Sequence, residues 1–358
     1  MTQKDALLEA PPVDAATPGR AGILAAVCGG GGAGKPGGRC SKARLLPLFG
    51  LLLFVGCFLT LRAMQSYAGA CRPAAATAAA GGAATLGSID EMRERIRFRG
   101  TNRRLPSCII IGVRKCGTRA LLEFMNMHPK VQAAHGEVHF FDSERYAYGL
   151  EWYRKRMPYS FPGQVTVEKS PAYFITDGVP ERVRAMNNAT RLIVVVRDPV
   201  DRAVSDYAQI HANRLAKGKP HATFEAYAVN DYGEVNTSYK AIRIGVYHRH
   251  LQRWLDVFPR TQMHVVDGDR LVVDPASELT RIEAFLGLEP LIHADNFYFN
   301  ATKGFFCLRH DATERCLTDT KGRKHPAINP RVLQKLEDYY RPFNLKFYEQ
   351  VGRDFNWR

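Results

Sequence analysis

The feature that most constrains the fold is the segment Arg191-Leu-Ile-Val-Val-Val-Arg197, in which five consecutive aliphatic residues lie between two arginines. An uninterrupted, largely β-branched run is typical of a strand that is buried on both faces, as the strands of parallel sheets are. The run stops at Asp198-Pro199, and helical spacing begins at Ala203. Because such a strand needs helices on both faces of its sheet, the segment predicts an α/β fold.

Further segments of the same kind indicate how the sheet is built. Cys108–Gly112 is a short apolar run that ends in glycine, and helical spacing follows from Arg119. Thr166-Val-Glu168 and His264-Val-Val-Asp267 are two more candidate strands. Strands that alternate with helices predict a central parallel sheet flanked by helices. In such sheets, ligands bind at the carboxyl ends of the strands.

The loop after the first of these strands, Gly112-Val-Arg-Lys115-Cys-Gly117-Thr118-Arg119, indicates a phosphate site. It combines a strand, a glycine-bounded loop and a helix start, where backbone N–H groups bind phosphate oxygens and Lys115 adds a mobile charge. A nucleotide triphosphatase loop has its lysine after the last glycine, but here Thr118 directly follows Gly117. The pattern therefore predicts a phosphate loop unsuited to Mg-ATP, and a structural strand–helix turn is the alternative.

The N-terminal part of the chain has a different character. Residues 45–61 form a 17-residue run without charge, near the lower limit of about 17–25 residues for a membrane-spanning helix. The run begins too deep in the chain for a cleaved signal peptide, which is the alternative. The preceding residues carry six basic and three acidic side chains, which favours a cytosolic N-terminus. We predict a cytosolic tail (1–44), a transmembrane signal anchor (45–62), an Ala/Gly-rich stem (63–103) and a luminal catalytic domain (104–358).

The composition restricts the possible partners. The 50 Lys and Arg residues exceed the 35 Asp and Glu residues by 15, and the pI is near 9.5, so an anionic partner is favoured. A hydrophobic content of 46% excludes disorder of the whole chain and a polytopic membrane protein. Nucleic acid is disfavoured as the partner because the predicted anchor sends the catalytic domain into the lumen.

Several segments together resemble one family, the heparan sulfate glucosamine 3-O-sulfotransferases of the Golgi, which use 3′-phosphoadenosine 5′-phosphosulfate (PAPS). Residues 112–119 resemble the family's 5′-phosphosulfate loop, and Val-Arg197-Asp-Pro with Ser205 resembles its 3′-phosphate element. The resemblance begins near Leu105, extends to the C-terminus and is nearest to the fifth and first isoform types. The other matching segments are residues 136–142, 168–174, 303–308 and 321–326.

The resemblance implies a fold and a reaction. The fold would be that of sulfotransferases, with a P-loop-like phosphosulfate-binding loop after the first strand of the sheet. The reaction would move the sulfuryl group from PAPS to the 3-hydroxyl of glucosamine in heparan sulfate and release adenosine 3′,5′-bisphosphate (PAP). No metal is expected, because Lys and Arg supply the positive charge and no His or Cys spacing suggests a metal site.

The resemblance also assigns catalytic roles. Glu137 would be the general base for the acceptor hydroxyl, and partial burial is expected to raise its pKa. His139 would orient that carboxylate or the sugar, and Asp142 lies in the same segment. Lys115 would stabilise charge on the departing phosphate, and Lys169 would lie beside the sulfonate and the acceptor.

A larger set of residues is expected to bind the cofactor. Arg197 ends a buried strand, where an unpaired cation is costly, so it either pairs with a carboxylate such as Asp198 or binds the 3′-phosphate. Ser205, in the next helix, would bind the same phosphate through its hydroxyl. The basic segment 321–325 would close over the nucleotide. The remaining residues implied by the resemblance are Arg114, Lys115, Cys116, Gly117, Thr118, Arg119, Tyr298, Lys321, Gly322, Arg323, Lys324 and His325.

The cysteines of the catalytic part have three different expected roles. Cys116 occupies a position that the family usually fills with glycine, and a positive φ there would be strained by roughly 1 kcal/mol. The resemblance implies a disulfide between Cys307 and Cys316, with two free thiols as the alternative. Cys108 lies in a candidate buried strand and is expected in the core.

The sequence also contains candidate glycosylation sites and candidate contacts with the acceptor. Three sequons, at Asn188, Asn236 and Asn300, are possible glycan acceptors on a luminal chain. The acceptor is expected to be a long polyanion, and five arginines are candidates for contacts with its sulfate groups: Arg114, Arg119, Arg243, Arg249 and Arg253.

Two other functions compete with 3-O-sulfation. Sulfation of the glucosamine amino group is possible because enzymes of that type share the fold and the cofactor loops. The segment 137–142 and the length of a single domain favour 3-O transfer instead. A non-catalytic, membrane-tethered heparan-binding protein is the third hypothesis, and the departure at Cys116 supports it.

Overall fold

The computed structural model describes residues 98–310, 313–317 and 325–357. The predicted tail and anchor, most of the predicted stem, and Lys321, Gly322, Arg323 and Lys324 lie outside these ranges. Within them, no helix combines the length and the apolar character needed to cross a membrane.

The described residues form ten strands and ten α-helices. The strands are β1 Asn102–Arg103, β2 Cys108–Gly112, β3 Val131–Ala133, β4 Tyr159–Ser160, β5 Val165–Lys169, β6 Arg191–Val196, β7 Met263–Asp267, β8 Phe297–Asn300, β9 Phe305–His310 and β10 Thr313–Arg315. The helices are α1 Thr118–Met125, α2 Gly149–Arg154, α3 Val179–Met186, α4 Pro199–Leu215, α5 Phe224–Ala228, α6 Lys240–Ile244, α7 Tyr247–Leu255, α8 Gly268–Val273, α9 Pro275–Leu286 and α10 Pro330–Val351.

The central sheet is parallel and has the order β3-β5-β2-β6-β7 among the described residues. All four strands predicted from the sequence belong to it, and the predicted α/β architecture is confirmed. Cys108, at the start of β2, lies opposite Val167 on one side and Arg191 on the other. The edge strand β3 was not predicted, because its three residues Val-Gln-Ala carry no periodicity.

The core explains why β6 is so uniformly aliphatic. Its residues 192–196 are completely buried, since the sheet is packed inside the main hydrophobic cluster. A second, smaller cluster joins α4, α6 and α10, with Leu336 and Tyr340 fully buried in it. The sheet therefore holds the strand ends rigidly, and the residues that follow them are fixed in space.

Helix α4 begins four residues earlier than the sequence predicted. Its N-cap is Asp198, whose carboxylate accepts hydrogen bonds from the N–H groups of Val200 and Asp201, and Pro199 occupies the first turn. The helical spacing was visible only from Ala203, but the cap and the proline start the helix directly after β6.

A small antiparallel sheet, β8-β9-β10, packs near the first helix of the domain. Cys307 in β9 is bonded to Cys316, which follows β10, with an S–S distance of 2.03 Å. This confirms the disulfide that the family resemblance implied. Cys108 and Cys116 are free and buried, and Cys108 lies in the core as predicted.

Candidate active site

A cleft of about 470 Å³ lies at the carboxyl ends of the parallel strands. It is lined by residues that directly follow β2, β5, β6 and β7, where parallel sheets bind ligands. The structure thus brings together ten of the residues predicted from the sequence: Arg114, Lys115, Gly117, Thr118, Arg119, Glu137, His139, Arg197, Ser205 and His325.

The loop between β2 and α1 has the geometry of an anion site. Gly117 is the N-cap of α1, with φ 101° and no side-chain cap, so the N–H groups of the first turn are not capped by a side chain. Lys115 also reaches this cleft, and its Nζ lies 3.3 Å from Oε1 of Gln209. Uncapped N–H groups beside a lysine suit a phosphate or sulfate oxygen.

Cys116 does not take part in the cleft. Its side chain is completely buried, with Sγ 3.8 Å from the hydroxyl of Tyr247, and burial raises the pKa of the thiol to about 11. The positive φ in this loop belongs to Lys115 (74°) and Gly117, not to Cys116. The strain considered for a cysteine at this position therefore does not arise. The thiol packs into the core, and the cofactor-binding role that the resemblance implied for Cys116 stays a prediction.

Arg197 enters the cleft from the end of β6. Its partner is Asp269, with Nε 2.9 Å from Oδ1, and not the neighbouring Asp198, which caps α4. Burial opposes the charge of Arg197, but the nearby carboxylate of Asp269 outweighs it and raises the pKa. Ser205 lines the same cleft from α4. An arginine that is ion-paired through one nitrogen retains donors for a second anion.

Gly268 allows the loop and two strand ends to meet. A Cβ at this position would lie 2.5 Å from the carbonyl oxygen of Cys116 and 2.6 Å from Cγ of Arg197. No side chain fits there without moving backbone. The glycine directly follows β7, which is the only signal in the sequence that marked it.

A chain of charged groups reaches the cleft at Glu137 and His139. Lys169, the last residue of β5, is almost completely buried, and its Nζ donates to Oε1 of Glu137. His139 Nε2 lies 3.2 Å from Oε2 of Glu137, and His139 Nδ1 lies 2.9 Å from Oδ2 of Asp142. Lys169 is therefore not an ordinary exposed lysine. It is buried, and the half-exposed carboxylate of Glu137 pairs with it.

The charge states of this chain differ from the sequence-based expectation. The hydrogen bond with His139 lowers the pKa of Glu137 to about 2, against the effect of burial and with the help of the Lys169 charge. The hydrogen bonds with Asp142 and Glu137 raise the pKa of His139 to about 9. The prediction that burial raises the pKa of Glu137 is wrong, because two cationic partners outweigh the loss of solvent.

This arrangement can accept a proton when its contacts change. In the resting site, Glu137 is ionised and shares its two oxygens between Lys169 and His139. A hydroxyl that replaces one of these donors would weaken the stabilisation of the carboxylate and make it a stronger base. The imidazole stays oriented by Asp142 during such an exchange, since that contact uses the other ring nitrogen.

The arginines predicted to bind the acceptor fall into two groups. Arg114 and Arg119 line the cleft, and Arg114 Nε lies 2.7 Å from Oδ1 of Asp206. Arg243, Arg249 and Arg253 lie on α6 and α7 and do not line it. The last of these pairs with Asp177, and Arg249 lies over the ring of Phe343.

Of two further residues predicted to contact the cofactor, His325 lines the cleft and Tyr298 does not. The hydroxyl of Tyr298 lies 3.3 Å from Sγ of Cys316, beside the disulfide, and Tyr298 does not line the cleft. His325 does line it, and burial lowers its pKa. The basic residues 321–324 lie outside the described ranges.

The three sequons differ in their surroundings. Asn188 is exposed in the turn between α3 and β6. Asn236 donates through Nδ2 to the carbonyl oxygen of Tyr227 at 3.0 Å. Asn300 lies in β8, and its Oδ1 accepts the N–H of Lys303 at 3.0 Å. A glycan at Asn188 disturbs the fewest contacts.

Sequence reasoning assigned no role to the other lining residues. Five of them lie inside segments that resemble the family: Pro171 and Ala172 in residues 168–174, and residues 304–306 in residues 303–308. The apolar residues of α1 and α8 carried no signal, since helical apolar residues usually belong to the core. The missed residues are Ala120, Phe124, Pro171, Ala172, Ala208, Gln209, Gly268, Leu271, Val272, Gly304, Phe305, Phe306 and Leu317.

Within the described part of the chain, no group of three or more His, Cys, Asp or Glu side chains is arranged to hold a metal ion.

Comparison with known proteins gives consistent matches. Residues 105–353 match the family model described as a sulfotransferase domain. Human heparan sulfate glucosamine 3-O-sulfotransferase 5 is 52% identical over 268 residues, which are 74% of this chain and 78% of that protein. The human 3B1 enzyme of the same name is 51% identical over 261 residues, 72% of this chain and 66% of that protein. A crystal structure of a sulfotransferase from Alicyclobacillus acidocaldarius aligns with a TM-score of 0.49 at 20% identity, over 70% of this chain and 98% of that one.

Proposed function

This chain belongs to the sulfotransferase family, and we propose that it transfers the sulfuryl group of PAPS to the 3-hydroxyl of glucosamine in heparan sulfate. The observation that carries the proposal is the position of Glu137. Its ionised carboxylate lies in the same cleft as the anion-binding loop after β2, and buried Lys169 holds it there. A base and a phosphate site on one cleft are what transfer from a phosphosulfate to a hydroxyl requires.

The donor side of the cleft fits a doubly phosphorylated nucleotide. Lys115 and the first turn of α1 would hold the 5′-phosphosulfate, while Arg197 and Ser205 would hold the 3′-phosphate. When bound, PAPS supplies a sulfuryl group on a phosphate that can leave. Lys115 would balance the charge on the leaving oxygen and would thereby supply electrostatic stabilisation of the departing phosphate.

The acceptor side is organised by Glu137. Its carboxylate takes the proton of the attacking 3-hydroxyl as the new oxygen–sulfur bond forms and the bond to the phosphate oxygen breaks. His139 stays fixed by Asp142 and keeps the base oriented. Arg114 and Arg119, which line the cleft, bind sulfate groups of the polysaccharide chain.

We also propose that the enzyme is a single-pass type II protein of the Golgi membrane. The segment 45–62, which contains the uncharged run 45–61, would be the anchor, 1–44 the cytosolic tail and 63–103 the stem, which leaves 104–358 in the lumen. The disulfide between Cys307 and Cys316 supports an oxidising compartment. Protease added to sealed Golgi vesicles should remove only the tail, and glycosidase should shift the mobility of the protected domain. Digestion of the catalytic domain in sealed vesicles would contradict this topology.

The reaction is tested with the purified full-length chain, radiolabelled PAPS and N-sulfated heparan sulfate, followed by disaccharide analysis. Label is expected at the glucosamine 3-hydroxyl. Glu137→Gln should lower the rate about 10²–10⁴-fold, the usual contribution of a general base, with PAP affinity nearly unchanged. Glu144→Gln, an exposed carboxylate of the same segment, is the matched control and should keep full activity.

The other outcomes separate the competing functions. Label at nitrogen would identify an amino-group sulfotransferase with the same cofactor site. Tight PAP binding without any transfer would favour a heparan-binding protein that kept the fold. A parallel loss of PAP binding in Glu137→Gln would mean that this residue supports the structure and is not the base.

A further inference from the structure

The loop that carries the base has no secondary structure of its own. Residues 137–140 belong to no strand or helix, yet their backbone is held at successive positions by side chains. The N–H of Val138 donates to Oε1 of Glu168 at 3.3 Å, and that of His139 donates to Oγ of Ser170 at 3.0 Å. The N–H groups of Phe140 and Phe141 both donate to one phenolic oxygen.

That oxygen is the hydroxyl of Tyr173, 2.9 Å from the N of Phe140 and 3.4 Å from the N of Phe141. Glu168, Ser170 and Tyr173 all lie at or just beyond the end of β5, and we call them the β5 clamp. Four consecutive N–H groups of the loop thus find their acceptors on the clamp, where a neighbouring strand would supply them in a sheet.

The clamp is completely buried and internally connected. All three of its residues are shielded from solvent. Ser170 Oγ donates to Oε1 of Glu168 at 2.6 Å, and the hydroxyl of Tyr153 donates to Oε2 at 3.2 Å. A buried donor or acceptor that loses its partner destabilises the fold, so the loop and the clamp depend on each other.

The clamp also holds the one non-glycine residue of this loop whose backbone has a positive φ. His139 has φ 50°, a left-handed conformation that a histidine adopts only when its surroundings enforce it. The bond from its N–H to Ser170 fixes this conformation, and the ring then lies between Glu137 and Asp142. Lys169, between two members of the clamp in sequence, contacts the base itself.

We propose that Glu168, Ser170 and Tyr173 are positioning residues for sulfuryl transfer, which hold the backbone of residues 138–141 and thereby fix the contact between Glu137 and His139. This inference rests on the proposed function only for its kinetic consequence. The side-chain hydrogen bonds of the clamp lead to the loop that carries the base, to Tyr153 and to one another, so its loss should affect the chemical step and leave cofactor binding intact.

Tyr173→Phe is the sharpest test, because it removes one oxygen and keeps the ring that packs against Phe141. We expect kcat to fall about 10²-fold, as for other misplacements of a catalytic group, with PAP affinity and the KM for heparan sulfate within about twofold of wild type. Tyr340→Phe is the matched control. Its hydroxyl is equally buried and donates to the carbonyl of Ile242 in the second core cluster, so it should lose stability without losing kcat.

A second measurement does not depend on transfer. The imidazole of His139, followed by NMR titration in the full-length chain with PAP bound, should titrate near pH 9 in wild type. In Tyr173→Phe, and in the milder Ser170→Ala, its pKa should fall toward the ordinary 6.5 as the loop loosens. Amide exchange in residues 138–141 should accelerate in the same variants and stay unchanged in Tyr340→Phe.

The outcomes separate this inference from the proposed function. An unchanged His139 titration and unchanged exchange in both clamp variants would overturn the positioning role, as would equal loss of kcat in Tyr340→Phe. If wild type transfers no sulfate, the proposed function is wrong, but the titration and the exchange still decide whether the clamp holds the loop.

Discussion

At the scale of single residues, the site is governed by pairs of opposite charge. Glu137 is ionised and His139 is protonated across the neutral range, because each is bonded to a group of opposite sign. Both side chains remain partly open to solvent, with 42% and 35% of their surface exposed, so water screens part of their attraction. Their ionisation is therefore linked to stability in a predictable direction.

His139→Gln tests this linkage. The folded-state pKa of about 9 lies above the ordinary 6.5, so the stabilisation by His139 is complete below pH 6.5 and is lost as the pH rises through 9. Urea unfolding should show the largest deficit of the variant near pH 6 and almost none near pH 10. Glu137, with its lowered pKa, loses its own contribution only as the pH falls from about 4.5 to 2. A deficit that is independent of pH would contradict the charge assignment.

The thiol of Cys116 should not react with alkylating reagents in the folded protein. Because its thiol is buried and its pKa is raised to about 11, iodoacetamide should not modify it in the folded protein, as mass spectrometry of its peptide can show. Cys116→Ala should cost about 1 kcal/mol of stability through lost packing, with PAP affinity within about twofold of wild type. A tenfold weaker affinity in calorimetry would mean that the side chain shapes the phosphate loop directly.

At the scale of elements, the small sheet β8-β9-β10 forms one wall of the cleft. Phe305 and Phe306 of β9 line the cleft. Arg315 of β10 forms an ion pair of 2.6 Å with Glu123 on α1, so the hairpin is tied to the helix that follows the loop after β2. The disulfide closes the base of this hairpin.

Replacing both Cys307 and Cys316 with serine should loosen that wall. The chain-entropy model gives a loop of this size roughly 2–3 kcal/mol, so the unfolding midpoint in denaturant should fall accordingly. The KM for heparan sulfate should rise several-fold while kcat changes little, because the base contacts Lys169 of β5 and the phosphate loop follows β2, so both are supported by the central sheet and not by this hairpin. Wild type treated with reductant is the control and should behave like the double variant. A fall in kcat alone would place the hairpin's role in the chemical step.

At the scale of the whole molecule, the excess of 15 positive charges suits a polymeric anion. Long-range attraction of this kind is screened over about 10 Å at 0.1 M salt, and displaced counterions add a steep dependence on ionic strength. Raising NaCl from about 50 to 300 mM should therefore increase the KM for heparan sulfate by more than tenfold.

The affinity for PAP is the internal control of that experiment. A nucleotide bound in the cleft would be held by a few close contacts, so its affinity should fall much less over the same range of salt. The kcat at saturating heparan sulfate should stay nearly constant. Equal salt dependence of the two ligands would mean that the polysaccharide is bound through a few local contacts as well.

Local patterns in the sequence were sufficient to predict most of the central sheet and the loop that follows its strand β2. The aliphatic runs determined four strands of the sheet because a strand buried on both faces needs such residues wherever it lies. The glycine-bounded loop predicted an uncapped helix start suited to an anion, since its backbone geometry is local. The motifs that resemble the family identified Glu137, Lys169 and the disulfide pair. The start of α4 and the edge strand β3 were less predictable, because a cap and a three-residue strand carry little periodicity.

The partners of these residues follow from the three-dimensional fold and not from local sequence. Arg197 pairs with Asp269, 72 positions away, and the Cys116 thiol packs against Tyr247, 131 positions away. The sign of the pKa shift of Glu137 follows from Lys169, 32 positions along the chain, together with His139. Burial and partner charges act with opposite signs on a carboxylate, and which one wins depends on groups that only folding brings into contact.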